Sequence, residues 1–149
     1  MKKICLSVFI TLAISPLITY AESEFKPSPP CTVILEPTEG IPENAKGVAL
    51  LYNIEREFND KRTSLSLHAL HMPNPSKFGD YDSYEVLAYI PDEISWTFKL
   101  NNYLENNWSG NLDEISPTMR PTRIKVRTIK SNTNKSGPIV LERNVSCSK

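Results

Sequence analysis

Three cysteines, two histidines and a few carboxylates are the side chains that could do covalent, metal or acid–base chemistry in this chain of 149 residues. His68 and His71 are its only imidazoles. On a strand, positions three apart project to opposite faces, so the pair cannot share a metal unless a bulge re-aims one of them. Completing a transition-metal site would then fall to carboxylates. The run Asp80-Tyr-Asp82-Ser-Tyr-Glu85 alternates acidic oxygens in the way calcium loops do. It lacks the loop glycine, however, and Pro91 occupies the place of the closing glutamate. The spacing therefore predicts a solvated acidic turn. Asp92-Glu93 and Asp113-Glu114 are adjacent carboxylates beside turns, which does not set two carboxyls across a glycoside. Ser109 lies in Asn-Trp-Ser-Gly, without the flanking glycines that expose a nucleophile on an elbow. No phosphate-cradling glycine loop occurs, so the expectation is a protein that is not an enzyme and needs no cofactor or metal.

The cysteines carry a different chemistry. Cys5 lies within a segment with an export pattern: Lys2 and Lys3, an apolar run from Ile4 to Ile18, and Thr19-Tyr20-Ala21 before a cut. Its apolar run falls short of the roughly 20 residues that span a bilayer. Residues 1–21 are thus expected to be a signal peptide, giving a secreted or periplasmic protein with no membrane insertion after cleavage. Cys31 and Cys147 remain, and in an oxidising compartment two thiols without a competitor pair. Cys31 shares strand parity with Val33 and Leu35; Cys147 shares it with Ile139, Leu141 and Val145, although Arg143 interrupts the pattern. A bridge between them closes nearly the whole domain and stabilises it by roughly 4–5 kcal/mol on the chain-entropy relation.

Charge narrows the partners. The chain balances 17 basic against 17 acidic side chains, and loss of Lys2 and Lys3 leaves 15 against 17. Nothing in that balance calls for nucleic acid or an anionic lipid surface. Asn107, Asn134 and Asn144 each open an Asn-x-Ser triplet, which is a glycosylation acceptor only in a eukaryotic secretory route.

The elements that must position these residues read as short strands. Residues 22–30 form a proline-rich leader, and residues 31–149 a single domain. Residues 31–36 are a first strand. Val48, Leu50, Tyr52 and Ile54 alternate with Ala49, Leu51, Asn53 and Glu55 in a second, and residues 59–62 suit a hairpin tip. Residues 64–67 continue as a third strand, with a parity switch at residues 68–70 that a bulge would produce. Residues 84–90 are a fourth. In residues 94–100, Ile94, Trp96, Phe98 and Leu100 face inward against a wet face of Ser95, Thr97 and Lys99. Residues 123–128 alternate Arg123, Lys125 and Arg127 with Ile124 and Val126, and residues 138–146 close the chain. Residues 101–122, rich in asparagine, show neither period and read as a long loop.

Six or seven short strands with no long amphipathic helix predict an all-β, antiparallel β-sandwich of immunoglobulin-like kind, its first and last strands joined by the disulfide. The expected function is an exported, non-catalytic binding module that recognises a protein or glycan through loops at one end. An inhibitor or immunity protein against an exported hydrolase is an alternative, and an adhesin or surface-assembly subunit is another. Candidate partner-binding residues are Tyr103 and Trp108 in the long loop, and the cationic row Arg123, Lys125 and Arg127. A lid role for the two aromatics and edge protection for the cations are the competing structural roles.

Overall fold

The computed structural model describes residues 30–147. The signal segment and almost all of the leader lie outside the described residues. Eight strands make up the described chain: β1 (Cys31–Pro37), β2 (Lys46–Arg56), β3 (Asp60–Leu70), β4 (Ser83–Ile90), β5 (Ile94–Leu104), β6 (Asn107–Ile115), β7 (Arg123–Lys130) and β8 (Lys135–Asn144). All pairings are antiparallel, and the spatial order β1-β2-β3-β6-β5-β4-β7-β8 returns to β1. The all-β expectation holds; the sandwich does not. Two sheets are indeed present, but two strands pass from one to the other. The first part of β5 pairs with β4 and its end with β6, while β1 pairs with β2 and then, at Glu36 and Pro37, with β8. Strands that change sheets at corners convert a sandwich into a closed barrel, which leaves no full-length edge.

Closure between β1 and β8 is short. Only Glu36↔Glu142 and Pro37↔Leu141 are ladder pairs, reinforced by the Thr38 N–H donating to the Val140 carbonyl at 3.1 Å. Five residues down β1 from Glu36 and five along from Glu142, the same register reaches Cys31 and Cys147. These two form the predicted disulfide, with Cα atoms 5.5 Å apart. The seam is therefore pinned at one end by hydrogen bonds and at the other by a covalent bond.

Inward parity fills the barrel with Val33, Leu35, Ala49, Leu51, Leu65, Leu67, Tyr84, Val86, Leu100, Ile124, Val126 and Leu141. In β2 the buried side is Gly47, Ala49 and Leu51, leaving Val48 and Leu50 exposed outside, next to Ile34 of β1. A small inward set suits this strand because a Cβ on Gly47 would sit 3.1 Å from the Leu35 Cβ and 3.2 Å from Leu141.

The parity switch after Leu67 has a different cause from the one expected. The β2–β3 ladder runs unbroken from Lys46↔Leu70 to Arg56↔Asp60, so there is no bulge at residues 68–70. Instead Ala69 keeps the inward phase, and His71, in the left-handed region at φ 55, turns the chain so that Met72 enters the core. The asparagine-rich stretch is also corrected. Residues 101–115 are the end of β5, a turn at Glu105 and Asn106, and the whole of β6, and the expected loop is reduced to residues 116–122. Most of β6 is half-buried on both faces, which erases the alternation that marks a strand in sequence.

Candidate ligand-binding face

β7 lies between β4 and β8, and its outward residues are the three cations. Register assigns each its neighbours. Arg127 stands opposite Glu85, Lys125 between Leu87 and Glu142, and Arg123 between Tyr89 and Asn144. The three are not equivalent. The Arg127 Nε donates to Glu85 Oε1 at 2.7 Å, and the Ser136 hydroxyl donates to the same oxygen at 3.1 Å. Among the described residues Glu85 is the one charged residue in the buried polar set, and on the barrel's outer wall Arg127 supplies the partner that its burial requires. Lys125 reaches Glu142 at 3.3 Å and lies 5.8 Å above the centre of the Tyr89 ring. Arg123 makes no side-chain contact of this kind among the described residues, and neither does Arg143 on β8.

Two clefts follow from this geometry. A cleft of about 550 Å³ is lined by Glu85, Thr97, Lys99, Arg127, Asn134 and Ser136, with Phe98 and Ile129 beneath. Further along β7, Arg123, Lys125, Glu142, Arg143 and Asn144 line a second, of about 350 Å³. Both are polar and both open outward. The Lys99 ammonium at the first donates to the Ser131 carbonyl at 3.4 Å.

The two aromatic candidates lie elsewhere. Trp108, at the start of β6, sits opposite Ala69 and turns inward. It meets the Tyr84 ring edge-on at 5.2 Å and packs against the core, closing the barrel end. Tyr103 is half-exposed on the end of β5, edge-on to His68 at 6.1 Å. In the barrel order β5 and β4 separate β6 from β7, so the structure gathers Arg123, Lys125 and Arg127 and leaves Tyr103 and Trp108 apart from them. Sequence reasoning missed Glu85, Tyr89, Glu142 and Arg143. Arg143 did leave a signal, since it breaks the apolar parity of the closing strand.

The other chemistry-bearing residues have structural partners. Lys130 pairs with Asp80 at 2.5 Å, and the Ser131 N–H donates to Asp82 at 2.8 Å. That backbone bond holds the Asp82 carboxyl below the ordinary aspartate range. The acidic run thus straps the β3–β4 connection to the β7–β8 turn. Asp113 accepts from the Ser64 hydroxyl at 2.6 Å, and Glu114 pairs with Arg56 at 2.8 Å, which holds that guanidinium charged. The His71 N–H donates to Asn107 Oδ1 at 3.1 Å. Among the described residues no group of three or more His, Cys, Asp or Glu is placed to hold a metal ion.

Comparison with known proteins gives a relationship. A sequence family described as "SPbeta prophage-derived uncharacterized protein YoqH" matches residues 27–149. A protein of Bacillus subtilis (strain 168) with the same description is 46% identical over 123 residues, covering 79% of this chain and 82% of that one. No solved structure matches.

Proposed function

We propose that this chain, which belongs to the YoqH family, is an exported, non-catalytic binding protein that takes a protein or glycan on the outer face of β4, β7 and β8. The single observation that carries this reading is the pair of adjoining polar clefts along β7, with Arg123 and Arg143 uncompensated in one and the Glu85–Arg127 pair in the other. An interior packed with aliphatic side chains directs a ligand to the wall of the barrel. That wall carries the charges and the interior the apolar residues, the reverse of the pattern in barrels that face lipid. Closure of the sheet favours binding over assembly by strand exchange, which needs an open edge. Export is supported by the disulfide, a bond that persists in oxidising compartments.

The test uses the full chain, immobilised and exposed to its host's envelope extract, beside two variants. Arg123→Glu with Lys125→Glu reverses charge on the face, whereas Tyr103→Ala alters the barrel end. Capture lost only in the charge-reversed chain supports this reading. Capture lost only with Tyr103→Ala moves the ligand to the end loops and overturns it.

A further inference from the structure

The geometry points to the cleft between β7 and β8 as a carboxylate site that takes an acidic peptide segment with an apolar residue beside its acid. This rests on the face assigned above and names the chemistry of its ligand. The cleft is lined by three cations and one carboxylate, in a chain whose charges balance overall. Lys125 is committed to Glu142 at 3.3 Å, so Arg123 and Arg143 supply the unspent charge. They enter from adjacent strands, Arg143 opposite Ile124 and Arg123 opposite Asn144. The two are one register step apart rather than a ladder pair, and both line this one cleft, where a planar guanidinium holds a carboxylate in the bidentate manner that suits it.

Arg143 reaches this cleft because of the incomplete seam. By parity it shares the inward side with Ile124, but β8 has no ladder partner on β1 beyond Glu142, so the side chain is exposed there instead of buried. A barrel zipped to its end would have buried that arginine in its wall without a counter-charge, which is strongly disfavoured.

Two observations favour a peptide acid over a free phosphate. Glu142 stands within the cleft and repels a compact dianion more than a single carboxylate. Beside Arg123, across the β4 pairing, Tyr89 opens on a shallow neighbouring cleft of about 440 Å³. There Leu87, Ile90 and Ile94 offer an apolar wall and Asp92, Glu93 and Ser95 a polar one, so the residue it takes is the peptide's apolar one and not its acid. A peptide can occupy both; phosphate uses only the first.

Nitrogen-15 amide and arginine Nε–H spectra of the full chain test this. The probes are a blocked pentapeptide with two glutamates flanking a leucine, its glutamine counterpart, and inorganic phosphate. The acidic peptide is expected to give saturable shifts at Arg123 and Arg143. Affinity should fall by at least about tenfold for the glutamine peptide, for Arg143→Ala, and between about 50 and about 300 mM salt. Lys61→Ala, exposed on β3 across the barrel from β7, should leave it unchanged, and the same spectra report that each variant is folded. Absence of saturable shifts, undiminished binding by Arg143→Ala, or phosphate binding as tightly as the peptide each overturns the assignment. If the peptide fails while the charge-reversed chain still loses its captured partner, the face stands and its ligand is not a carboxylate.

Discussion

Tyr84 shows most clearly how one side chain ties the core to the loops. It is fully buried, and its hydroxyl donates to the Pro73 carbonyl at 2.6 Å in the β3–β4 connection. Burial raises the phenol well above its ordinary range. The native state therefore keeps its proton above pH ~10, where the unfolded chain has released its own. With fewer protons bound in the unfolded state, stability falls as pH rises through that point. Replacing Tyr84 by Phe removes the hydroxyl and this titration together. Denaturant unfolding should show the variant about 1–2 kcal/mol less stable at pH 7, with the gap narrowing between pH 10 and pH 11. A gap that stays constant across that interval would mean the phenol titrates alike in both states. None of this was legible in the sequence, where Tyr84 reads only as one apolar position among several.

At the scale of elements, the β2–β3 hairpin contains a conflict between sequence and backbone. Phe58 and Asn59 both adopt positive φ, 63 and 59, and the Asp60 N–H closes onto the Glu57 carbonyl. Such a turn favours Asn and Gly at its centre, because a Cβ-bearing residue in the left-handed region costs about 1–2 kcal/mol. Phe58 bears that cost while 97% exposed, so packing does not compensate it. Phe58→Asn should raise stability by about 0.5–1 kcal/mol in urea unfolding, since asparagine tolerates this backbone; a loss of stability would show that the ring has an intramolecular partner. Elements with clean alternation were readable beforehand. β5 shows Ile94, Trp96, Phe98 and Leu100 on its inner side as expected, and β7 shows Ile124 and Val126. What parity cannot report is the pairing partner. β6 lies between β3 and β5, half-buried on both sides, and its sequence carries no period to reveal it. The same gap hid the site, because Arg123 was visible as an outward cation, but its cross-strand neighbours Tyr89 and Asn144 come from register alone.

For the whole molecule, closure is the organising fact. The sequence contained the clasp, through two cysteines at matching parity, but not the corner-turning of β1 and β5 that separates a barrel from a sandwich. The disulfide spans 116 residues and lies at the end of a seam with two ladder pairs. Converting Cys31 and Cys147 to alanine should lower the unfolding free energy by about 5 kcal/mol on the chain-entropy relation, measured by chemical denaturation of the two chains. A change below about 1 kcal/mol would mean the unfolded chain is already held compact. Because the closed wall leaves its ligand only the outside, the binding proposal depends on that closure. Cross-strand nuclear Overhauser effects test it directly. Backbone contacts between Glu36 and Glu142, and between Asn102 and Trp108, are expected together, since these pairs close the barrel at β1–β8 and β5–β6. If both sets are missing while the β2–β3 and β4–β7 contacts are present, the molecule is two separate sheets and the closed barrel is wrong.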